Sequence, residues 1–576
     1  MAIKNQELAR IFERIADALE LKGETGFRVL AYRKAARVLT DLTEDVAELD
    51  RENRLETVPG IGSGIAKKIH EYLATGKMKK LEEVTAGIEP GLFALLDIPG
   101  VGPRTVKLLN DKLRVKNIDD LKRVLMDGSA AQLPGMGKKK VENILKGLEQ
   151  IERAGSRMYL NEAFELAELI IEYIRSGSDA KEVIAAGSLR RGRETVGDLD
   201  ILATGSNPQQ IVHRFVTFPM TRQVLSAGET KASIVIASAN GLRQIDLRVV
   251  EPETFGAALQ YFTGSKDHNV ALRTLAQKMG LKISEYGVFR NDRRIAGKTE
   301  LEVYQAIGLP YIEPELREDR GEIAAAQENR LPVLVRQEDI KSDLHIHTTA
   351  SDGSSSLIEI VRAAQQLGYT HIAIAEHSVS AGYAGGLTAD QLLSRCDEID
   401  RLNENLKKFR ILKSAEVDIT PDGKLDYPDS VLARLDLVIA SIHQAFNRDA
   451  TRRVCNAIEH PLVHIIAHPS GRLIGKRPGY DINLEKVIEC AAQNRKILEI
   501  NSYYERLDLN DVWARQAKEA GVLIAVNTDA HSVSDLSWMR YGVMTARRAW
   551  LTRNDIINCL SLAQLMKLLA RLRQSS

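Results

Sequence analysis

Short apolar runs at 371–375, 411–417, 437–442, 463–467 and 522–527 alternate with stretches of helical periodicity. Such runs, each bounded by a helix, are the pattern of strands buried on both faces, in a β/α barrel or an open parallel sheet. Polar groups able to ligate metal follow or end the runs: His377, Glu416, His443, His468, and the pair Asp529 and His531. In such folds functional groups gather at the carboxyl ends of strands, so residues far apart in sequence converge. One His at a strand end is commonly a hydrogen-bonded core residue, but its recurrence along the whole array is not explained that way. Of the 12 histidines, nine lie beyond Lys341, beginning with Asp343-Leu344-His345-Ile346-His347. A surplus of imidazole in one region points to transition-metal binding.

A different chemistry is written between residues 187 and 246. The strand-like segment Val196 to Ala203 holds Asp198 and Asp200 two residues apart, behind Gly187-Ser188-Leu189-Arg190-Arg191-Gly192. Side chains at i and i+2 of a strand share a face, so these carboxylates repel unless a cation lies between them. Asp246 sits in a second alternating run, Gln244-Ile245-Asp246-Leu247-Arg248. A neighbouring strand that brings it to the same place completes a site for two ions about 3.5–4 Å apart, suited to phosphoryl transfer. The backbone N–H groups of the Gly-Ser turn, the Ser188 hydroxyl and the Arg191 guanidinium are donors matched to a triphosphate.

Val58-Pro59-Gly60-Ile61-Gly62, Ile98-Pro99-Gly100-Val101-Gly102 and Leu133-Pro134-Gly135-Met136-Gly137 form an internal repeat, each leading into a helical pattern. A tight glycine turn before a helix N-terminus presents unpaired N–H groups to a phosphate and reads no base. Cations follow each turn: Lys67 and Lys68, then Arg104 and Lys107, then Lys138, Lys139 and Lys140. One Pro-Gly-x-Gly is an ordinary turn; three in register predict sequence-independent DNA binding.

At 576 residues the chain is too long for one core. Its formal net charge of +1 does not reveal a nucleic-acid partner, so DNA contacts must come from local placement. Four isolated cysteines (Cys396, Cys455, Cys490, Cys559) indicate neither a disulfide framework nor a Cys-x-x-Cys zinc site. No apolar run approaches the roughly 18 residues of a membrane span. Leu8, Ile11, Ile15 and Leu19 share one face of a charged first helix, unlike a secretion signal. A cytoplasmic monomer with no membrane partner is expected.

Residues 1 to about 315 resemble a family X DNA polymerase of the DNA polymerase beta type. The resemblance implies a helix-hairpin-helix domain at 1–85, a second hairpin domain (fingers) at 86–150, a nucleotidyltransferase palm at 151–253 and a thumb at 254–315. Asp198, Asp200 and Asp246 match the palm aspartates, and Ser188 and Arg191, in the turn begun by Gly187, match the phosphate-binding pair. Tyr261-Phe262-Thr263-Gly264-Ser265 matches the nucleotide-pocket signature, with Asn269 and Arg273 at the minor-groove positions. By that analogy Tyr261 occludes a ribose 2′-OH, Asn269 donates to a base edge and Arg273 touches the template. DNA contacts are expected at Gly60, Gly62, Lys68, Gly100, Gly102, Arg104, Gly135, Gly137 and Lys138. Lys266 replaces an acidic residue of the animal enzyme, so fidelity is not carried over. Lys68 falls at that enzyme's Schiff-base lysine, but Phe27, Arg28 and Gly64 stand at the supporting positions, and Lys68 reads as a phosphate contact.

Residues 316–340 mix charges, alanines and prolines and read as a linker. From 341 to 576 the chain resembles the PHP domain, a metal-dependent phosphoesterase family with a distorted seven-stranded β/α barrel. Its ligand motifs match His345, His347, Asp352, His377, Glu416, His443, His468, Asp529 and His531. By analogy His345, His347, Glu416 and Asp529 surround one ion, Glu416, His443 and His468 a second, and Asp352, His377 and His531 a third. His371, His460 and His464 lie outside the pattern and read as structural. Manganese or zinc suits this mixed set, and magnesium or manganese suits the palm. Arg472, Lys476 and Arg477 are candidates for binding strand phosphates.

The expected architecture is therefore multidomain, α+β and α/β. The two halves together resemble bacterial or archaeal family X polymerases with a fused PHP domain. That implies deoxynucleoside triphosphates added to a primer on gapped DNA, in repair, and metal-dependent hydrolysis from the 3′ end, with abasic-site cleavage left open. The alternatives are a PHP region acting on pyrophosphate or small phosphomonoesters, and a DNA-binding scaffold with idle sites.

Overall fold

Three turns with one hydrogen-bonding pattern organise the first part of the chain. The Ile61 N–H donates to the Val58 carbonyl, Val101 to Ile98 and Met136 to Leu133, at 3.0, 3.0 and 3.1 Å. The residue between the glycines is the anchor: Ile61, Val101 and Met136 are buried. They join a helical core to which Ala2–Leu21 contributes Leu8, Phe12, Ile15 and Leu19 from one face. The structure, a computed structural model, describes residues 2–24, 26–41, 46–58, 60–98, 101–137, 139–142, 144, 145, 148, 157–238 and 241–574. Gly100 and Lys138 lie outside these residues.

A five-stranded sheet follows, in the spatial order Ala180–Ala185, Leu199–Gly205, Gly241–Val249, Lys231–Ser238, Thr221–Ala227. Only the 199–205 and 241–249 strands run parallel. Leu199, Ile201 and Ala203 turn one face toward helices Leu160–Ser176 and Pro208–Val216, while Leu202 on the other face packs under helix Phe255–Thr263. Asp200 shares the face of Leu202, two residues before it, and lies beside the roofed patch.

Segment 316–340, read from composition as a linker, is packed structure. Arg317 and Glu322 have no exposed surface. The Arg317 carbonyl accepts from the Ser265 N–H at 3.0 Å, and Val335 bonds in both directions, donating to the Leu551 carbonyl and accepting from Arg547 Nη1. Its polarity misleads because its partners, His268, Glu300 and Arg547, lie far off in sequence.

Seven parallel strands then pair in chain order: Ser342–Ile346, His371–His377, Arg410–Asp418, Leu437–Ser441, Ile465–Ile466, Ile497–Asn501 and Ile524–Asn527. A bridge from Ile346 to Ala530 nearly closes the barrel. Helix Leu562–Gln574 packs Leu565, Leu569 and Leu572 against Leu344, Leu412, Leu437, Ile465 and Ile497. That burial is worth about 1.5–3 kcal/mol per leucine, and it fills the interior with side chains below the strands' carboxyl ends. Two strands, 342–346 and 497–501, were not among the five apolar runs. Each interleaves polar groups, Asp343 and His345 in one, Glu499 and Asn501 in the other.

Candidate active sites

In the five-stranded sheet Asp200 pairs in register with Asp246, and both point to one face because the core residues Ile245 and Leu247 point to the other. Asp198 precedes the strand proper and is exposed. Burial, then the charges of Asp198 and Asp246, push the Asp200 carboxyl up to about 7. The charges of Asp198 and Asp246 both bear on Asp200, and that repulsion calls for cations. Gly187 has φ +58, and a Cβ there would stand 2.2 Å from Asp200 Oδ2. The turn therefore approaches the acids as closely as backbone can, with Ser188 in the short helix Gly187–Arg190.

Arg191 is fixed on both sides. Its Nε donates to Glu318 Oε1 at 3.0 Å and its Nη1 to the Thr263 carbonyl. Gly264 leaves room for it, since a Cβ there would lie 3.1 Å from Nη1. Asn269 is also engaged, accepting from Gln260 at 2.7 Å and donating to the Tyr261 carbonyl at 2.8 Å; Arg273 donates to the Asn269 carbonyl. The Tyr261 and Phe262 rings are half-buried and meet edge to face, with the Arg248 guanidinium over Phe262. Sequence reasoning missed Arg190, which forks onto Glu300 at 2.8 and 2.6 Å, while Arg317 reaches the same carboxylate at 2.6 Å. Although burial opposes its charge, Arg317 and Arg190 hold Glu300 at about 2. His268, buried between Glu322 and Tyr304, was missed as well.

All nine barrel residues converge at the carboxyl ends of the strands. His345 Nε2 lies 3.4 Å from Glu416 Oε2 and 3.6 Å from Asp529 Oδ1, and His347 Nε2 lies 3.6 and 3.1 Å from the same atoms. On the far side of Glu416, Oε1 meets His443 Nε2 at 3.4 Å and His468 Nε2 at 2.9 Å. Asp352 stands 3.5 Å from His377 Nε2 and 3.3 Å from His531 Nε2. Two atoms each about 2.1 Å from one ion in tetrahedral geometry are about 3.4 Å apart, so these spacings fit shared cations. The buried Nε2 atoms of His345 and His347 make no hydrogen bond among the described residues, which fits them as ligands.

Three groups could each hold an ion: His345, His347 and Asp529; His377, Glu416 and His443; and His347, Asp352, His377 and His531. The partition differs in detail from the family analogy. His377 faces Glu416 at 3.0 Å as well as Asp352, and His347 faces both ends. Burial works against the charge on His345, yet Glu499, Asp529 and Glu416 carry it well above the usual imidazole range. Glu416 is held well below the usual carboxylate range by His443, His377 and His345, again against burial.

The carboxylates that orient these imidazoles were also missed. Glu499 is buried and accepts from His345 Nδ1 at 2.9 Å, and Asp418 faces His443 Nδ1 at 2.8 Å. Asn501 donates to Asp529 at 3.0 Å. Their strand-end positions were the available signal, but a carboxylate in an apolar run does not say whether it meets a metal or a ligand's second nitrogen. Arg472, Lys476 and Arg477 are committed elsewhere, to Glu194, Glu505 and the Gly471 carbonyl. Of the residues outside the motifs, His464 is buried beside Arg573 and the Val438 N–H, and His371 meets Thr370.

At the hairpins, Gly62 and Gly102 cap helices Ser63–Thr75 and Pro103–Leu113 without a side-chain hydrogen bond to the first turn, and nothing lies within 4 Å of where their Cβ would be. Gly60 and Gly135 take φ +109 and +76, and Gly137 is equally open. Lys68, half-buried with its ammonium on the Gly64 carbonyl, extends from the first of these helices and the exposed Arg104 from the second.

Parallel-barrel, palm and hairpin features combine in one class of protein. Family models match in the same order: a helix-hairpin-helix domain at residues 3–78, a SAM-like helix-hairpin-helix tandem at 93–150, the DNA polymerase beta thumb at 258–318 and the PHP domain at 343–503. A DNA polymerase/3′-5′ exonuclease PolX of Bacillus subtilis is 38% identical over 571 residues, 98% of this chain and 99% of that protein. The chain belongs to the family X DNA polymerases with a C-terminal PHP domain. DNA polymerase lambda of Rattus norvegicus is 27% identical over 343 residues, 54% of this chain and 56% of that one. A probable phosphatase of Thermoanaerobacter is 31% identical over 230 residues, 38% of this chain and 89% of its own.

Proposed function

We propose that the chain is a DNA-directed DNA polymerase that fills short gaps in DNA repair, and that its PHP domain is a metal-dependent 3′-5′ exonuclease. The observation that carries the reading is the presence of two separate clusters, Asp198, Asp200 and Asp246 on the palm sheet and nine groups at the barrel mouth, in one chain similar over its length to a relative named for both activities. The proposed division is hairpin domains at 1–85 and 86–150, palm at 151–253, thumb at 254–315 and PHP domain at 341–576. Divalent ions in the two clusters, magnesium or manganese in the palm and manganese or zinc in the barrel, would supply Lewis acidity toward phosphate oxygens.

The chain's own groups then have distinct tasks. Asp198, Asp200 and Asp246 would hold the palm ions, with Asp246 as the carboxylate for the primer 3′-OH side. Ser188, the Gly187 turn and Arg191 hold the triphosphate, and Tyr261 and Asn269 line the sugar and base side. The open N-termini after Gly62, Gly102 and Gly137, with Lys68 and Arg104, hold the backbone of gapped DNA. In the barrel, Glu416 would help to hold the ions, while Glu499 and Asp418, at Nδ1 of His345 and His443, leave Nε2 of each to be presented.

Asp200→Asn should abolish primer extension and leave 3′ shortening of labelled DNA intact; Glu416→Ala should do the reverse. Loss of both activities in both folded variants would defeat the two-site reading. The likeness to a probable phosphatase favours a second reading, a barrel that hydrolyses pyrophosphate or small phosphomonoesters. Pyrophosphate hydrolysis with no shortening of primer DNA in manganese would establish it instead.

A further inference from the structure

The Gly187–Gly192 turn, which in the proposed function cradles the triphosphate, rests on the PHP domain. Gly192 has φ +64, and a Cβ on it would stand 2.9 Å from Met544 Cε and 3.6 Å from Arg548 Cδ, both on helix Met539–Arg548 beside the barrel. The side chain of Arg548 is 4% exposed. Its Nη1 donates to the Arg191 carbonyl at 2.8 Å and to Glu318 Oε1 at 2.9 Å, the oxygen that receives Arg191 Nε at 3.0 Å. Its Nη2 is anchored on Asp511 Oδ2 at 2.8 Å, which Arg320 also holds at 2.9 Å.

We propose that Arg548, a PHP-domain residue, is a positioning residue for nucleotide addition: it fixes both the backbone and the side chain of Arg191 for the triphosphate. A guanidinium suits the task because one planar fork satisfies a carbonyl and two carboxylates at fixed angles, which an ammonium cannot. Glu318 is the shared pivot. With Arg548 present it accepts from two arginines and holds Arg191 at its Nε edge, while the Thr263 carbonyl takes one Nη1 N–H, so the Nη2 end of that guanidinium is turned to an anion. Without Arg548, the Arg191 carbonyl loses its donor and Glu318 is free to swing with Arg191. The nuclease domain is thereby part of the scaffold of the polymerase site.

The proposal rests on the assignment of Arg191 to the triphosphate, and steady-state extension of a gapped primer separates the two. Arg191→Ala should raise KM for the deoxynucleoside triphosphate strongly. Arg548→Ala should raise it about tenfold, the loss of one charge-assisted hydrogen bond, with kcat changed less than about twofold and 3′ shortening unchanged. Arg548→Lys should fall between wild type and Arg548→Ala. The double variant should be no worse than Arg191→Ala, since both act through one group. Glu194→Gln, which removes the palm–PHP ion pair with Arg472 at 2.7 Å without touching Arg191, should leave KM unchanged. If Arg191→Ala raises KM and Arg548→Ala does not, or Glu194→Gln raises it equally, the proposal falls. If Arg191→Ala leaves KM unchanged, the triphosphate assignment falls first. Should Arg548→Ala not fold, Arg548→Lys and Glu318→Gln carry the same test, each with a raised KM expected and an unchanged one overturning it.

Discussion

The palm and barrel clusters solve the problem of gathering carboxylates in opposite ways. The palm sets Asp200 beside Asp246 and Asp198 with no histidine among them, and the result is a carboxyl pushed up to about 7 by burial and its neighbours. The barrel surrounds Glu416 with His345, His347, His377, His443 and His468, and the same burial leaves it well below the usual carboxylate range. One site gathers carboxylates alone, and the other sets its carboxylates among imidazoles. The palm should therefore take up ions with its substrate, as carboxylate sites with few protein ligands do. The barrel should hold its ions as part of the fold, with imidazoles locked by Glu499 and Asp418.

Removing the barrel's hub should produce the largest effect. Glu416→Ala strips the carboxylate that faces five imidazoles, and 3′ shortening should fall more than about a thousandfold with loss of bound metal by elemental analysis. Retention of the full metal content would show that the histidines suffice and that the contrast with the palm is wrong. Next, Glu499→Gln keeps the shape but weakens the acceptor for His345 Nδ1, and should lower metal affinity about 10–100-fold; a chelator titration reads this directly.

The smallest effect concerns the palm and has a defined sign. A carboxyl whose pKa is raised on folding holds its proton more tightly in the native state. Stability is fullest below the unfolded value near 4, declines as pH rises through about 7, and stays lowered above that. At pH 8 Asp200→Asn should therefore stabilise the magnesium-free protein by about 1–3 kcal/mol, discounted for partial solvent screening, and at pH 4 by almost nothing. Magnesium should raise the melting temperature of the wild type at pH 8 more than that of the variant. Equal shifts in both proteins would mean that the acids do not share an ion.

Much of both centres was legible because each motif is local. The i, i+2 spacing of Asp198 and Asp200 needs only a strand to put them on one face, and the repeated Pro-Gly-x-Gly needs only a turn before a helix. Six of the nine barrel candidates, His377, Glu416, His443, His468, Asp529 and His531, could be picked out because they close or follow a recognisable apolar run, whereas His345 and His347 stood out as a His-x-His pair and Asp352 rested on the family resemblance. What escaped notice depends on residues that meet across long separations. Arg190 is polar and sits in a motif, but nothing near it says that Glu300 will neutralise it. Glu322 looks like a solvated charge until His268 is placed against it. Arg472, Lys476 and Arg477 form a basic cluster in the sequence, yet their partners, Glu194 above all, divert them from the role that the cluster suggested.

Periodicity and motif spacing by themselves pointed to two unlike groups of candidate side chains, the aspartates at 198, 200 and 246 and the strand-end histidines and acids of the last part of the chain, and to three glycine turns before helices. Local backbone geometry is enough for that, because a strand or a helix start dictates where its own few residues point. Only the tertiary structure decided which oxygen of Glu416 faces which imidazole, that segment 316–340 is a packed strap, and that Arg548 of one domain bears on Arg191 of another. Those are pairings of charges buried together, and a buried charge is defined by what surrounds it rather than by the residues beside it in the chain.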